Sequence, residues 1–294
     1  MNVMYINNIS MNYGKIKALN NINLTISKGL YGLLGENGAG KSSLIRIITG
    51  RQKPTNGEVI FNNASVKRNK EFHQALGYMP QNFKAPEDMR CYEYLTYVGM
   101  YKGLSMNQIN ENIDWLVNIL NLNDHINKKI KNLSGGTLRR LGIAQAFINQ
   151  PSFVILDEPT AGLDITERRN FRDFVSRYSE KNTVIISTHI VSDIEYIASD
   201  LILLKKGNVI SNGKYKDQLN EIQGMVWECK DREDKILSLR KLVENYGGII
   251  TNYKGEDPME NQLRYISSIK LSDTSVSAIP NLNDYYLWKM WRQQ

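Results

Sequence analysis

The spacing of apolar residues predicts strands along much of the first 215 residues. In Ile22-Asn23-Leu24-Thr25-Ile26 every second residue is apolar, which is the pattern of a strand with one buried face. Residues 3–28 are therefore predicted to form strands, with a turn at Asn12-Tyr13-Gly14-Lys15. The runs 153–156 and 183–189 are mostly apolar, which favours strands buried on both faces of a parallel sheet. Two further β-like runs between 201 and 213 predict a hairpin.

The period changes between about 82 and 150, where apolar residues recur at helical spacing. They include Tyr94, Leu95, Val98, Ile113, Leu116, Val117 and Leu120. We therefore expect a mostly helical subdomain inserted between strands, with a helix at 141–149 near its end. Shorter strands are predicted on its N-terminal side, at 58–61 and 75–79. After residue 220 the patterns predict strands at 225–229, 247–251 and 262–269 and helices at 234–246 and 283–288.

The loop 35–42, Gly-Glu-Asn-Gly-Ala-Gly-Lys-Ser, is a full match to G-x-x-x-x-G-K-[ST]. The apolar stretch 30–34 precedes it and an amphipathic stretch, 43–48, follows it, so the loop has the expected strand and helix on its two sides. Glycines let successive N–H groups point at one anion, and the helix adds its positive end. Lys41 would then bridge the β- and γ-phosphates, and the Ser42 hydroxyl would bind Mg²⁺. The alternative, a glycine-rich turn with a surface lysine, is disfavoured by both flanks.

Four other places carry residues with possible chemistry, and each has a plain structural alternative. Ser134-Gly135-Gly136 could bind an anion at a helix start, or be a helix cap with a glycine hinge. Asp157 and Glu158 end the apolar run 153–156, where α/β sheets place their chemistry, although adjacent acids are usually just solvated. Because side chains alternate along a strand, the two acids are expected to point in different directions. One would hold Mg²⁺ through water, and the other would face the water poised on the γ-phosphate. His189 lies at the tip of the next apolar strand, and the alternative is a histidine at a helix start without a functional role. Tyr13 is either an adenine platform or a half-buried strand residue.

Composition sets limits on the class of protein. The chain has 294 residues and a net charge of +7, and residues 220–294 are nearly neutral, so the positive charge lies in 1–219. Its cations are scattered, and short runs such as Arg139-Arg140 are expected to be solvated, so a nucleic-acid partner is not expected. No apolar run approaches the ~20 residues of a membrane-spanning helix, and residues 1–7 lack the features of a secretory signal. Cys91 and Cys229 are far apart and are expected to be reduced thiols.

Taken in order, these motifs resemble the nucleotide-binding subunit of the ABC transporter family over residues 3 to about 215. The matching segments are a Walker A loop at 35–42, a Q-loop glutamine at Gln81, a signature Leu133-Ser134-Gly135-Gly136, a Walker B segment at 153–158, a D-loop Ala161-Gly162-Leu163-Asp164 and a switch histidine at His189. Six motifs in this order make the resemblance specific. Two departures, Thr137 after the signature and Ile165 after the D-loop, remove no group from the implied chemistry.

The resemblance implies that ATP and Mg²⁺ are bound by residues spread along the chain. The implied nucleotide-binding residues are Tyr13, Gly35, Asn37, Gly38, Gly40, Lys41, Ser42, Ser43, Ser134, Gly135, Gly136 and Asp164. The implied Mg²⁺ ligands are Ser42, Gln81 and Asp157, and the implied catalytic residues are Glu158, His189 and Gln81. Glu158 matches the general base, and His189 matches the γ-phosphate contact. Gln81 matches the glutamine that also senses the transmembrane partner.

The resemblance also implies the fold. We expect an α/β protein, a P-loop NTPase core with a mixed sheet, an N-terminal antiparallel β subdomain and an inserted helical subdomain at about 82–150. The ATP-binding domain is expected at 1–219, and a small α/β accessory domain at 220–294. The accessory domain either supports packing or dimerisation, or has a regulatory role.

The implied function is ATP hydrolysis that powers a membrane transporter. Two subunits, expected to be identical copies, pair head to tail so that each ATP lies between one Walker A loop and the other subunit's signature. An integral membrane permease is expected as a separate chain, which places this subunit in the cytoplasm on the inner face of the membrane. Thr137 and Arg139-Arg140 resemble exporters of peptides, antibiotics or lipids. The alternatives are a soluble ATPase of the same type acting on nucleic acid or the ribosome, or a P-loop kinase or GTPase.

Overall fold

The computed structural model of the protein describes residues 2–255 and 261–292. The chain divides into two compact units between Asn212 and Gly213. The sequence pattern places the domain boundary later, between 219 and 220, and a short helix occupies the intervening residues.

The first unit contains ten strands, the last of which crosses the unit boundary, and six α-helices among the described residues. In chain order they are β1 (Met4–Tyr13), β2 (Ile16–Ile26), β3 (Gly29–Leu34), α1 (Lys41–Ile48), β4 (Asn56–Phe61), β5 (Ala64–Ser65), α2 (Lys70–Ala75), β6 (Leu76–Met79), α3 (Cys91–Tyr101), α4 (Met106–Ile119), α5 (Gly135–Phe147), β7 (Phe153–Asp157), α6 (Ile165–Ser179), β8 (Thr183–Thr188), β9 (Asp200–Lys205) and β10 (Asn208–Lys214). The predicted strands at 58–61 and 75–79 are confirmed within two residues.

A six-stranded sheet with the order β10-β9-β3-β8-β7-β6 forms the centre of this unit. Neighbouring strands from β9 to β6 run parallel, so their carboxyl ends lie along one edge. All residues of β7 and β8 are buried, as their apolar runs predict. The predicted hairpin joins β9 to β10 through Lys206 and Gly207, which both have positive φ, as tight hairpin turns require.

A second, antiparallel sheet with the order β2-β1-β4-β5 lies beside the first one. One apolar core joins the two sheets and helix α1. Phe61 of β4 lies with its ring centre 5.9 Å from that of Phe153 on β7, and Phe72 of α2 contacts both rings. The helices α3, α4 and α5 occupy the stretch predicted to be helical.

One helix boundary differs from the prediction. Helix α5 begins at Gly135, not at Leu141, because Ser134 caps it and its Oγ accepts a hydrogen bond from Thr137 N at 3.2 Å. Glycine is compatible with a helix start where a cap precedes it. Ser134 of the signature is thus the cap of α5, and Gly135 and Gly136 are its first two residues.

In its described residues, the second unit is a four-stranded antiparallel sheet with three α-helices. Its elements are α7 (Tyr215–Asn220), β11 (Val226–Asp231), α8 (Glu233–Asn245), β12 (Ile249–Lys254), β13 (Asn261–Ile266), β14 (Val276–Ser277) and α9 (Leu282–Trp291), and the strand order is β12-β13-β11-β14. Helix α8 packs its apolar side on Cys229, Leu263 and Tyr265. The predicted strands and helices of this unit are found, and α7 and β14 are additional. Cys229 and Cys91 are both free and buried, in agreement with the prediction of reduced thiols.

A buried ion pair also holds the second unit together. Asp284 on α9 is fully buried, and it accepts hydrogen bonds from Arg264 Nε at 3.0 Å and Nη2 at 2.6 Å. Thr251 donates to the same carboxylate at 2.7 Å, and Glu228 contacts Arg264 as well. Helix α9 is therefore anchored to strands β12 and β13 by charge as well as by apolar contacts.

Candidate functional site

The loop between β3 and α1 curves tightly against its surroundings. Gly40 has φ +108°, and a Cβ at this position would lie 2.7 Å from the carbonyl oxygen of Ala18. A Cβ on Gly35 would lie 2.5 Å from the carbonyl oxygen of Leu204. Only glycine combines this backbone conformation with such close approach of neighbouring main chain. The glycines of the loop are therefore required by its geometry.

Lys41 starts helix α1 and its side chain turns back over the loop. Its Nζ donates hydrogen bonds to the carbonyl oxygens of Gly35 at 2.5 Å and Glu36 at 3.1 Å. Burial lowers the pKa of Lys41, while the nearby carboxylates of Glu158 and Asp157 act in the opposite direction. The ammonium group lies between the loop and the two acids predicted to work with it.

A cavity of about 330 Å³ opens at this loop. Its walls include Asn37, Gly38, Gly40, Lys41, Ser42, Ser43, Gln81, Asp157 and Glu158, together with Ala18, Glu36 and Ala39. Nine of the residues predicted from sequence thus meet at the carboxyl edge of the central sheet. A larger groove of about 440 Å³ between α4 and α6, lined by Trp115, Phe174 and Tyr178 among others, contains none of them.

Asp157 and Glu158 both line this cavity although they are adjacent in sequence. Asp157 ends β7, and burial raises its pKa, with the Glu158 carboxylate acting in the same direction and Lys41 opposing it. Glu158 has φ +53°, so the alternation of side chains between the two faces of β7 ends at Asp157. Its main-chain N–H donates to Ser187 O on β8 at 2.8 Å, which holds this unusual backbone in place.

His189 contacts the second of these acids. Its Nδ1 lies 2.8 Å from Glu158 Oε1, and its side chain is half exposed whereas that of Glu158 is buried. The structure therefore brings the predicted base and the predicted switch histidine into direct contact, at the ends of β7 and β8.

The signature residues lie outside this cavity. Ser134 and Gly135 are exposed at the start of α5, and Gly135 lines a separate space of about 320 Å³ with Gln81 and Arg139. Gly136 packs against the D-loop, since a Cβ on it would lie 2.8 Å from the carbonyl oxygen of Gly162. Among the residues that surround the phosphate loop in the described chain, none belongs to the signature.

Asp164 and Tyr13 also lie outside the walls of the cavity at the phosphate loop. Asp164 caps α6, where its Oδ1 accepts from Glu167 N at 2.7 Å, and it is exposed. Tyr13 ends β1 and is 40% exposed, with its hydroxyl donating to Gln52 Oε1 at 2.9 Å and lying 3.4 Å from Ser43 Oγ. A ring at this position stands next to the phosphate loop without entering its cavity.

The expectation that Arg139-Arg140 is a solvated pair is wrong. Arg140 is buried, with Nε 3.1 Å from Glu167 Oε1 and Nη1 donating to Leu120 O at 3.0 Å. Arg139 Nη1 donates to Gln81 O at 2.7 Å, and burial lowers the pKa of Arg139. Two adjacent cations give no sequence signal of burial, because their partners are main-chain carbonyls and a distant carboxylate.

Comparison with known proteins shows the family. The family model described as ABC transporter matches residues 19–161. The lantibiotic transport ATP-binding protein SrtF of Streptococcus pyogenes is 33% identical over 220 residues, which are 74% of this chain and 93% of the relative. The chain belongs to the ATP-binding subunits of ABC transporters. As a member of this family, the subunit is an ATPase.

Two further similarities agree with this assignment. The Nod factor export ATP-binding protein I of Cupriavidus metallidurans is 32% identical over 215 residues, 72% of this subunit and 71% of the relative. A cassette solved as a dimer in a post-hydrolysis state with ADP and Pi is 25% identical, with a TM-score of 0.66 over 72% of this subunit and 98% of that chain. The α/β fold with its mixed sheet is thus that of an ABC ATPase. In residues 2–255 and 261–292 of the subunit, no helix has the length and apolar character to cross a bilayer.

Proposed function

We propose that this subunit binds ATP with Mg²⁺ at the phosphate loop and hydrolyses it through Glu158, in a pair with an identical copy, to power export by a separate membrane permease. The main support is the cavity in which the loop, Asp157, Glu158 and Gln81 meet. Such a convergence of a phosphate-binding loop with buried acids is what phosphoryl transfer to water needs.

The loop supplies the phosphate contacts. Main-chain N–H groups of Asn37, Gly38 and Gly40, with the positive end of α1, would bind the phosphate oxygens. Lys41 Nζ now donates to two loop carbonyls, and a small rotation would turn it towards the β- and γ-phosphates. Ser43 would contribute a hydroxyl, and Tyr13 would stack on the adenine.

The donor set at this cavity fits Mg²⁺. Ser42, Asp157 and Gln81 offer a hydroxyl, a carboxylate and an amide oxygen on its walls. Mg²⁺ prefers oxygen ligands and is usually held by one or two carboxylates plus substrate phosphates. Burial raises the pKa of Asp157 and so disfavours its charged form, which a bound cation would stabilise. Among the described residues, no three His, Cys, Asp or Glu side chains form another metal site. When bound, Mg²⁺ would neutralise charge on the phosphates.

Glu158 has the position of a general base. Its carboxylate lines the cavity and is buried, and His189 contacts it from the neighbouring strand. Glu158 would accept the proton of the attacking water. His189 would hold the Glu158 carboxylate and contact the γ-phosphate, while Gln81 would help to orient the water.

The exposed signature supports pairing with a second copy. Ser134 and Gly135 offer free N–H groups at the positive end of the 13-residue helix α5, outside the subunit's own cavity. We infer that they, with Gly136 and Asp164, contact ATP held by the other subunit. The solved relative that forms a dimer with ADP and Pi has the same fold.

Export is supported by the relatives. Their names refer to lantibiotic transport and Nod factor export, and Thr137 with Arg139-Arg140 resembles that branch. The proposed cargo is therefore a peptide, an antibiotic or a lipid-like molecule, moved by an integral membrane permease. The subunit would lie in the cytoplasm on the inner face of the membrane, bound to that permease.

Two substitutions test the hydrolytic mechanism. Glu158→Gln should keep ATP affinity and lower turnover by roughly 10²–10⁴-fold, the range for a positioned base. Lys41→Ala should instead weaken ATP binding, measured by titration with a fluorescent ATP analogue. Glu36→Gln is the matched control, because it changes an exposed carboxylate at the same cavity and should leave turnover within about twofold. Wild-type turnover in Glu158→Gln would contradict the assignment.

Co-purification tests the partner. The subunit expressed in its native host should retain an integral membrane protein in detergent. Retention of RNA or ribosomes in its place would contradict the transporter role.

A further inference from the structure

Two loops that leave neighbouring strands carry much of the proposed catalytic machinery. The loop 158–164 follows β7 and carries Glu158 and Asp164, and the loop 189–193 follows β8 and carries His189. The contact between Glu158 and His189 joins them at the cavity, but the histidine side chain is half exposed. A contact this open is not rigid unless something else fixes the distance between the two loops.

A buried aspartate makes a second link between the same loops. Asp193 is 3% exposed and Thr160 is 1% exposed, and Thr160 Oγ1 donates a hydrogen bond to Asp193 Oδ2. Arg168 on α6 adds a cation, with its Nη1 3.8 Å from Asp193 Oδ1. A hydrogen bond between two buried groups is strengthened by the low local dielectric. This link lies two residues after Glu158 and four residues after His189.

Helix α6 holds both loops from the other side. Arg168 Nε donates to Leu163 O at 3.1 Å in the first loop, and Arg172 Nη1 donates to Ser192 O at 3.2 Å in the second. Asp193 is the point at which the two loops and α6 meet, because it contacts one residue from the first loop and one from the helix. A change in this carboxylate would therefore alter the spacing of the loops without touching the phosphate-binding residues.

We propose that Asp193 is a positioning residue that fixes the geometry of the Glu158–His189 pair through Thr160. This inference rests on the proposed function, since it assigns Asp193 a role in the step that Glu158 performs. It predicts that loosening the link slows the chemical step and leaves ATP binding nearly unchanged.

The test uses Thr160→Val, which keeps the shape and removes the hydroxyl, and Asp193→Asn, which removes the charge. Both should lower kcat by about 10- to 100-fold, the scale expected when reacting groups are misplaced, with KM for ATP within about twofold. Thr160→Ser, which keeps the donor, should restore most of the rate. The matched control is Thr183→Val, at the opposite end of β8, where a buried hydroxyl donates to Ser27 O at 2.9 Å. It should lower thermal stability but not kcat per ATP-binding molecule.

A double-mutant comparison separates positioning from stability. In a His189→Ala background, Thr160→Val should have little further effect on kcat, because the pair that it positions is already broken. Equal effects of Thr160→Val in both backgrounds, or an unchanged kcat in Thr160→Val and Asp193→Asn alone, would overturn the inference. Wild-type turnover in Glu158→Gln would instead overturn the proposed function, so the two failures are distinguishable.

Discussion

The two glycines at the start of α5 offer a sharp test of the packing between signature and D-loop. Gly135 has open space where a Cβ would be built, whereas a Cβ on Gly136 would lie 2.8 Å from the carbonyl oxygen of Gly162. Neither glycine has positive φ, so alanine adds no backbone strain at either position. The main difference between Gly135→Ala and Gly136→Ala is therefore that only the methyl group of Gly136→Ala overlaps with the D-loop carbonyl of Gly162.

The magnitude follows from this difference. Replacing glycine by alanine in a helix gains up to about 1 kcal/mol, and this gain is shared by both variants. Overpacking costs about 1–3 kcal/mol, and it applies only to Gly136→Ala. The D-loop has little freedom to retreat, because Thr160 is tied to the buried Asp193. We expect Gly136→Ala to be less stable than Gly135→Ala by about 1–3 kcal/mol.

Thermal denaturation of the protein without nucleotide measures this difference. At 2–4 °C per kcal/mol for a domain of this size, Gly136→Ala should unfold about 2–12 °C below Gly135→Ala. Helical circular dichroism is a suitable signal, and leaving out ATP removes any effect on subunit pairing. Equal stability of the two variants would refute the reasoning, since it would mean that the D-loop moves away freely.

Two other predictions concern buried charges. Burial raises the pKa of Asp157 in the folded protein above that of a free aspartate. The protonated carboxyl therefore favours folding at low pH, and this contribution to stability is lost as the pH rises through the folded pKa. Asp157→Asn should therefore melt above wild type at neutral pH, with a difference that shrinks towards pH 4; a difference independent of pH would contradict this. In the second unit, Arg264→Ala leaves Asp284 buried and unpaired and should destabilise by about 3–5 kcal/mol in urea, followed by tryptophan fluorescence. The exposed Arg240→Ala, which breaks a surface pair with Glu244, should change stability by less than about 0.5 kcal/mol, and equal midpoints for both arginine variants would oppose the assignment.

Local patterns were sufficient for the centre of the fold. The mostly apolar runs at 153–156 and 183–189 predict β7 and β8 within one residue, because strands buried on both faces leave a nearly unbroken apolar run. The glycine spacing at 35–42 predicts the loop, because neighbouring main chain leaves no room for a Cβ at Gly35 or Gly40 and Gly38 has positive φ. Helix α7 and the two-residue β14 were missed, since elements so short show no period.

Contacts between distant segments could not be predicted in this way. Arg140 is buried because α5 packs beside Leu120 and Glu167, and nothing in its own neighbourhood indicates that. Nothing around Asp193 in the sequence indicates a partner, and its proposed role depends on Thr160, which lies beside it only after the chain has crossed the sheet. Such residues become visible only when the strands are placed in order.

The strand order has a mechanical consequence for Gln81. It follows β6, an outermost strand that, within the described residues, pairs in the sheet only with β7, whereas Glu158 follows a strand with neighbours on both sides. Side chains also hold β6, since Lys102 Nζ donates to Leu76 O at 2.7 Å and Gln145 Nε2 donates to Tyr78 O at 2.6 Å. A force applied to the chain at Gln81 would act on a ladder of four residue pairs and on these side-chain bonds, including the one from Arg139 Nη1 on α5 to Gln81 O. A displacement of Gln81 would therefore be transmitted to helix α5 as well as to β7.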